Sequence, residues 1–468
     1  MPSQDPKPAA VLVAVQLPGV DDVTHHADLM ELERLVTTLG HEVVGHVTQR
    51  RQQLSTGAVL GAGKLAELSA WTGGTGVIPT GAKPAASKAR ARFDNATEQE
   101  SVEDDLDDDL DREADAASPD FVAPKRAGLV VVDHELSPRQ ARNLERATDA
   151  EVLDRTGVIV EIFHRHARSR EAKLQVELAR LAYVSPRLRE TGGADRQQGG
   201  IGGKGSGESS LELDRRKVRD RMAELRRELT TVQHDNDRRR KARTDQLRVA
   251  LVGYTNAGKS SLMRALTGSE VLVADKLFAT LDTTVRAMQP ESRPRVLVSD
   301  TVGFIKKLPH DLVASFKSTL DEAHEASLLL FVVDASDPTH ESQLAVTHEV
   351  LGEIGADVVP SLLVLNKIDR VDEVGRATLR ARFPDAIQLS TRRPEDVAKL
   401  RARILQHFDE TLLTEVELFV PHAKASLIGD IHEAARVVEE SWDEGGAHMR
   451  VRGIPSALDR IRAKLASA

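Results

Sequence analysis

Short apolar runs alternate with segments of helical period in the first 160 residues of the chain. Residues 10–17, 43–48 and 129–132 are runs of β-branched and other apolar residues, which are typical of buried strands. Between them, residues 27–39 have amphipathic helical spacing, and Ser137-Pro138 begins a helix that we expect to run through Ala147. Strands that alternate with helices predict an α/β unit over residues 1–160.

The same alternation returns from residue 247 to residue 413. Apolar runs at 247–252, 296–299, 327–333 and 362–365 are separated by helical segments. This pattern predicts a mostly parallel, doubly wound sheet, in which ligands bind at the carboxyl ends of the strands.

Helical periodicity dominates the segment between the two α/β units, residues 161–246. Residues 159–183 predict one long helix, and apolar residues from Leu211 to Val232 follow at spacings of 7, 4, 3, 4 and 3. A glycine-rich loop at 192–207 joins the two helices, so the segment is predicted to form an antiparallel hairpin. The loop is either a flexible connector or a tip whose backbone approaches RNA phosphates.

The chain ends with a small α/β segment, residues 414–468. It has a strand at 416–420, a helix at 423–441, a strand at 449–451 and a closing helix. The predicted fold class is therefore α/β: a central doubly wound α/β domain, an N-terminal α/β unit with a helical hairpin, and a small C-terminal α/β domain.

Charge is distributed unevenly in a chain whose formal net charge is −9. Residues 72–124 contain 13 acidic and 5 basic residues and few apolar ones, which predicts a disordered insertion. Residues 186–250 contain 17 basic and 11 acidic residues. This basic segment indicates either a polyanionic partner or a solvated helix face.

The 468 residues include no cysteine, which excludes disulfides and thiolate metal sites. No apolar run is long enough to span a membrane, and Met1 to Lys7 lack the pattern of a signal peptide. We therefore expect a cytoplasmic protein, and we expect it to be a monomer.

A phosphate-binding loop is predicted at a strand-to-helix turn. The spacing G-x-x-x-x-G-K-S follows the apolar run at 247–252 and precedes a helical segment. Its glycines let backbone N–H groups surround phosphate oxygens, while the lysine adds charge and the serine is a Mg²⁺ ligand. Its residues are Gly253, Tyr254, Thr255, Asn256, Ala257, Gly258, Lys259 and Ser260. A similar sequence, 61–64, lacks the full spacing and favours a tight turn.

Two further motifs follow strands in the order that a GTP site requires. Asp300-Thr301-Val302-Gly303 matches D-x-x-G, in which the aspartate holds Mg²⁺ through water and the glycine N–H contacts the γ-phosphate. Asn366-Lys367-Ile368-Asp369 matches N-K-x-D, whose carboxylate accepts hydrogen bonds that guanine can donate and adenine cannot. Ser390 and Thr391, after the strand at 387–389, complete the predicted GTP-binding residues.

The motifs together resemble those of HflX-type GTPases, in the Obg–HflX group of translation-factor-related GTPases. The resemblance covers the chain outside residues 72–124. It lies in GYTNAGKS at 253–260, FATLD at 278–282, DTVGF at 300–304, DRTG at 154–157 and GGIG at 199–202.

This resemblance implies a ribosome-associated GTPase that binds the large subunit and its rRNA and splits stalled or stress-damaged ribosomes, with the glycine-rich tip near the peptidyl-transferase region. In FATLD, Phe278, Ala279, Thr280, Leu281 and Asp282 would join the GTP site. Thr280 would bind Mg²⁺ directly with Ser260, Asp300 through water, and Thr284 is the alternative to Thr280. Lys259, Gly303 and Asn256 would be the catalytic residues.

Departures from related GTPases concern catalysis and the loop tip. Phe304 stands where many of them have the glutamine that orients the attacking water, so slow intrinsic hydrolysis is expected, with stimulation by the ribosome. Asn256 matches the K⁺-binding asparagine of potassium-activated relatives, which leads to the hypothesis that K⁺ stimulates turnover. Residues 205–210 depart from the family pattern at the tip.

Two other functions remain open from the sequence. One is a GTP-gated ribosome-binding or subunit-assembly module without splitting activity. The other is an RNA-remodelling ATPase, against which Asn366 and Asp369 argue for the central site. They say nothing about a second site in the N-terminal region.

Overall fold

The computed structural model describes residues 7–78, 125–188, 210–241, 246–268, 277–278, 284–307 and 322–466. Three predicted features therefore lie outside the described residues. They are the acidic insertion from residue 79 onward, the glycine-rich tip, and Ala279, Thr280, Leu281 and Asp282 of the FATLD motif. Contacts divide the chain into two compact units, residues 1–162 with 180–215, and residues 163–179 with 216–468.

The first unit contains a parallel four-stranded sheet in the order β2-β1-β3-β4. Its strands are β1 (Ala9–Gln16), β2 (Glu42–Arg50), β3 (Leu129–Val132) and β4 (Glu151–Asp154). Its helices are α1 (Asp22–Thr38), α2 (Ala62–Thr72) and α3 (Pro138–Thr148). The predicted α/β unit is confirmed, and Ser137 begins α3 with a capping box that includes Gln140.

The described chain continues past the predicted start of the acidic insertion at residue 72. Thr72 is fully buried at the end of α2, and Ile78 packs against the hydrophobic core of the sheet. Gly74 lies so close to α3 that a Cβ atom would meet the Ala147 carbonyl oxygen at 2.3 Å. Residues 72–78 are thus part of the packed unit.

The hairpin segment contains three helices, α4 (Arg155–His166), α5 (Arg170–Val184) and α6 (Ser210–Lys241). The single helix predicted over 159–183 is wrong, because the Ser169 hydroxyl accepts a hydrogen bond from the Ala172 N–H and caps a new helix. Ion pairs Arg170–Glu228 and Arg221–Glu177 show that α5 and α6 run antiparallel. The predicted antiparallel hairpin is confirmed.

The second unit contains a six-stranded sheet in the order β10-β9-β8-β5-β7-β6, parallel except for β6. The strands are β5 (Leu247–Val252), β6 (Thr284–Ala287), β7 (Val296–Asp300), β8 (Leu328–Asp334), β9 (Ser361–Asn366) and β10 (Ile387–Gln388). Helices on the sheet are α7 (Lys259–Thr267), α8 (His340–Glu353), α9 (Glu373–Arg382) and α10 (Pro394–Thr411). Apolar side chains cover both faces of the sheet, as the doubly wound prediction requires.

The C-terminal segment is a three-stranded antiparallel sheet in the order β11-β13-β12 with two helices. Its elements are β11 (Thr414–Pro421), α11 (Leu427–Ala434), β12 (Ala435–Trp442), β13 (Gly446–Gly453) and α12 (Pro455–Ala466). The predicted helix over 423–441 is wrong in its second half. That half pairs with β13 as a strand, because tertiary pairing outweighs its local helical spacing. Within the described part of the chain, no helix is long and apolar enough to cross a bilayer.

Candidate functional site

The predicted phosphate loop, residues 253–260, connects β5 to α7. Gly253 has φ +145°, and a Cβ atom there would lie 2.2 Å from the Val332 carbonyl oxygen. Gly258 has φ +98°, and its Cβ would lie 2.2 Å from Asn366 Nδ2. Only glycine combines these φ values with such close approach. The loop therefore has the open backbone that a phosphate group requires.

Lys259 lies inside this loop. Its Nζ donates hydrogen bonds to the carbonyl oxygens of Gly253 at 3.0 Å and Tyr254 at 2.8 Å. Burial lowers the pKa of Lys259 to about 8, and the nearby Asp300 carboxylate partly opposes that shift. A buried ammonium whose charge is only partly compensated favours an anion beside it.

Ser260 and Asp300 bring two oxygen ligands together at the start of α7. The Ser260 hydroxyl donates to Asp300 Oδ2 at 2.7 Å, and Asp300 is fully buried at the end of β7. A hydroxyl and a carboxylate are hard oxygen ligands of the type that Mg²⁺ takes alongside substrate phosphates. This pair therefore fits the predicted magnesium site. Thr284 pairs with Asp300 across β6 and β7, whereas Thr280 lies outside the described residues.

Gly303 packs directly on the phosphate loop. A Cβ atom at Gly303 would lie 2.8 Å from Thr255 Cα and 2.9 Å from Lys259 Nζ. Thr301, two residues earlier, donates its hydroxyl to the Leu251 carbonyl oxygen at 2.7 Å, and Val302 is buried. The four residues of the D-x-x-G motif are thus held against β5 and the loop, beside Lys259.

Phe304 is buried in the hydrophobic core, only 2% exposed, among residues that include Ala250, Val252 and Phe331. Its side chain therefore faces the core. The sequence had indicated that Phe304 lacks a hydrogen-bonding group, and the structure adds that it is a core residue.

Three hydrogen bonds join residues 304–306 to the phosphate loop. The Phe304 N–H donates to the Gly253 carbonyl oxygen at 3.1 Å, and the Thr255 N–H donates to the Phe304 carbonyl oxygen at 2.8 Å. The Lys306 N–H donates to the Tyr254 hydroxyl at 2.7 Å. Sequence reasoning missed this contact, because nothing local to Tyr254 indicates a partner 52 residues away.

The N-K-x-D motif lies at the end of β9, beside the phosphate loop. Asn366 is 1% exposed, and its Nδ2 donates to the Ala257 carbonyl oxygen at 2.9 Å. Lys367, at φ +59°, donates from Nζ to the Asn256 carbonyl oxygen at 2.7 Å and to Asp334 Oδ2 at 2.6 Å. Asp334 was missed from the sequence: its place at the end of a strand is a usable signal, but its partner Lys367 follows only from the pairing of β8 with β9.

Asp369 is held by the loop that follows β10. A hydrogen bond from Ser390 is the main cause that lowers the pKa of Asp369, and Arg392 lies 3.6 Å from its carboxylate. The Ile368 N–H donates to the Leu389 carbonyl oxygen at 3.3 Å, which fixes the two loops together. Thr391 follows Ser390 in the same loop and is half-buried.

Phe278 is the described residue of the FATLD motif. It is buried, has φ +55°, and packs edge-to-face on Phe163 with a ring-centroid distance of 4.6 Å.

The phosphate loop and the D-x-x-G and N-K-x-D motifs lie together in the structure. Their described residues follow β5, β7 and β9, at the carboxyl ends of these parallel strands of the six-stranded sheet.

The DRTG motif lies in the first unit and forms a buried charge network. Arg155 pairs with Asp133 at 2.8 Å and with Glu31. Asp154 accepts hydrogen bonds from the Gly157 N–H at 2.8 Å and from Arg187 at 2.7 Å. These contacts hold the start of α4 on the sheet, which is a structural role.

Comparison with known proteins places three family models along the chain. A model described as GTP-binding GTPase N-terminal matches residues 26–78 and 116–164. The GTP-binding GTPase Middle Region matches 166–243, and a model described as 50S ribosome-binding GTPase matches 248–367.

Curated relatives match over most or all of their length. The GTPase HflX of Gluconacetobacter diazotrophicus is 62% identical over 468 residues, which is all of both chains. The GTPase HflX of Caldanaerobacter subterraneus is 36% identical, covering 97% of this chain and 93% of its own. That of Escherichia coli is 41% identical, covering 70% and 78%.

Among solved structures, a GTP-binding protein of Sulfolobus solfataricus in complex with GDP is 23% identical, with a TM-score of 0.43. The match covers 85% of this chain and 98% of that one. From the curated relatives and the three family models, the chain belongs to the HflX family of GTPases.

Proposed function

We propose that the GTP-bound chain binds the large ribosomal subunit and promotes the dissociation of stalled or stress-damaged ribosomes. The observation that carries this proposal is the packing of the phosphate loop, the D-x-x-G motif and Asn366 against one another within residues 248–367, the segment that matches a 50S ribosome-binding GTPase model; Asp369 lies just beyond this segment. The basic helix α6 of the hairpin would supply the contact to rRNA. Cytoplasmic location and a monomeric state stay predictions.

Guanine selection would rest on Asp369. Its lowered pKa keeps the carboxylate ionised at neutral pH, so it accepts hydrogen bonds and donates none. Guanine offers two donors on its N1 and N2 edge, whereas adenine leaves the carboxylate facing an acceptor. Because an unsatisfied buried group costs about 1–3 kcal/mol, more when charged, this pocket would discriminate strongly against ATP.

The phosphates would lie along the loop 253–260. Lys259 and the loop N–H groups would bind their oxygens, and Ser260, Asp300 and a threonine, Thr280 or Thr284, would hold Mg²⁺. Bound Mg²⁺ neutralises charge that develops on the phosphate oxygens. Lys259 and Gly303 lie close together, so both would face the terminal phosphate.

Unassisted hydrolysis would be slow. The buried Phe304 side chain orients no water, so the Gly303 N–H and Lys259 stabilise the transferred group without a positioned nucleophile. The ribosome, or K⁺ held by Asn256, would complete the site. The Asn256 side chain is exposed on the loop, with its backbone at φ +61° fixed by the bond from Lys367 to its carbonyl oxygen. Equal rates in Na⁺ and K⁺ buffers would remove the K⁺ hypothesis.

Co-sedimentation with purified large subunits tests the binding proposal. We expect the full chain to pellet with subunits in a non-hydrolysable GTP analogue and not in GDP or ATP. Asp369→Asn should weaken pelleting with the analogue. The double variant Arg226→Glu/Arg227→Glu, on the exposed face of α6, should abolish it, while Arg382→Glu on α9 serves as a control for charge reversal elsewhere on the surface. Pelleting that is equal in all nucleotides would contradict the proposal.

A second function, a GTP-gated subunit-assembly module, predicts the same binding without dissociation of intact ribosomes. An RNA-remodelling ATPase that used the central site would need ATP there, and Asn366 with Asp369 favours guanine instead.

A further inference from the structure

A second concave pocket lies behind the N-K-x-D loop, on the side of α9. It has a volume of about 380 Å³ and is lined by three arginines, Arg376, Arg380 and Arg393, against one acid, Asp396. Ile368, Pro384 and Ala386 form apolar parts of its wall. None of these residues belongs to the phosphate loop or to the predicted Mg²⁺ site.

The three arginines of this pocket differ in the hydrogen bonds and ion pairs that their guanidinium groups form. Arg376 donates from Nε to the carbonyl oxygens of Ile368 at 3.1 Å and Val371 at 2.9 Å. Within the described residues, the guanidinium groups of Arg380 and Arg393 form no hydrogen bond or ion pair. By contrast Arg382, on the same helix but outside the pocket, pairs with Glu341 at 2.5 Å.

The one acid in the pocket is already engaged. Asp396 accepts a hydrogen bond from the Ser390 N–H at 3.0 Å, so one of its carboxylate oxygens is already bonded to the loop that contains Ser390. The pocket therefore presents two guanidinium groups with no partner in the described part of the chain, which favours an anionic ligand.

The combination of guanidinium groups and an apolar wall fits a phosphorylated nucleoside unit. Arginine forks bind phosphate oxygens in pairs. An apolar wall beside them suits a ribose or base, and about 380 Å³ lies within the usual range for small-ligand sites. Two sources share this chemistry, a free nucleotide and an RNA strand.

The pocket is connected to the guanine site by two short paths. Arg376 holds the carbonyl oxygen of Ile368, which is the third residue of the N-K-x-D motif. Asp396 holds the N–H of Ser390, whose side chain bonds Asp369. A ligand that attracts the Arg376 guanidinium or displaces the Asp396 carboxylate would therefore change the position of the Asp369 carboxylate.

We propose that this pocket is a second anion site that binds the phosphate of a nucleotide unit and is coupled to the guanine site. Its ligand changes the affinity for guanine nucleotide, and guanine nucleotide changes the affinity for that ligand by the same factor.

The test uses the full chain loaded with GDP and freed of excess nucleotide, so that the phosphate loop is occupied and unbound GDP does not compete with the probes. Two probes are titrated, uridine diphosphate by calorimetry and a fluorescent eight-residue oligouridine by anisotropy. The rate of release of a fluorescent GDP is measured with and without each probe. The variants are Arg380→Gln/Arg393→Gln and, as the control, Arg382→Gln. All three arginines lie at the surface, so the variants should fold.

We expect at least one probe to bind, to change GDP release severalfold, and to bind about tenfold or more weakly to the double variant, with the control within about twofold. The probe that binds identifies the source, free nucleotide or RNA. RNA binding that the double variant retains, or GDP release that neither probe changes, would overturn the proposal.

Discussion

Replacing Tyr254 by phenylalanine removes one hydroxyl from the contact between the phosphate loop and residues 304–306. Tyr254 is 5% exposed, and its hydroxyl is the acceptor for the Lys306 N–H at 2.7 Å. The ring, which packs in the same place, is unchanged. The two backbone hydrogen bonds between Phe304 and the loop also remain. The substitution therefore loosens the segment that follows Gly303 without altering the shape of the loop.

The magnitude follows from the lost acceptor. A hydrogen bond of this kind contributes about 1 kcal/mol, and about 1.5 kcal/mol where the donor is half-buried. If this hydrogen bond is kept when residues 303–306 contact the γ-phosphate and is broken in the GDP-bound state, its free energy is lost from GTP binding and not from GDP binding. The ratio of GTP to GDP affinity should then fall by about five- to twelvefold.

The assay compares the affinities of fluorescent GDP and a fluorescent non-hydrolysable GTP analogue for the unsubstituted protein and for Tyr254→Phe. The chain has two tyrosines, and Tyr183→Phe is the matched control because its hydroxyl bonds Asp154 in the first unit. The control should keep the GTP to GDP ratio unchanged. An unchanged ratio in Tyr254→Phe would refute the role assigned to this hydroxyl.

Three further predictions concern single residues of the site. Gly258→Ala should abolish nucleotide binding, since its Cβ would lie 2.2 Å from Asn366 Nδ2 at φ +98°; calorimetry with GDP checks this, and affinity within about threefold of the parent would contradict it. Phe304→Gln should not accelerate hydrolysis, because the side chain at this position enters a hydrophobic core. The same substitution should lower the free energy of unfolding by about 2–4 kcal/mol. A faster single-turnover rate in a stably folded variant would contradict this prediction. GDP affinity should fall as pH rises from 8 to 9. In the nucleotide-free protein the pKa of Lys259 is lowered to about 8, so above this pH the side chain must regain a proton when it binds phosphate. The Lys259→Arg variant, whose guanidinium stays charged, should not show this fall, and a flat profile in the parent protein would count against the buried ammonium.

The elements that place the site were predictable because their signals are local. Apolar, β-branched residues predict strand β5, and the helical composition that follows the loop predicts the start of α7. The loop glycines mark the positions between them that need positive φ, and all of these signals lie within about 20 residues. The pairing of Asp334 with Lys367 and of Tyr254 with Lys306 depends on which strands are neighbours, and a single sequence does not contain that information.

The two wrong helices have the same physical origin. Residues 159–183 carry continuous helical spacing, yet a serine cap divides them, and residues 435–442 have helical spacing but pair with β13. Local propensity differs by a few tenths of a kcal/mol per residue, which a cap or a row of strand hydrogen bonds exceeds.

The splitting activity is tested by the time course of light scattering from intact ribosomes mixed with the full chain. We expect scattering to fall, as subunits separate, with GTP or its non-hydrolysable analogue. We expect no fall with GDP or ATP, nor when the Asp369→Asn variant replaces the chain in the presence of GTP. Constant scattering under all these conditions, with the chain bound to the large subunit, would contradict the splitting activity and leave a GTP-gated binding module.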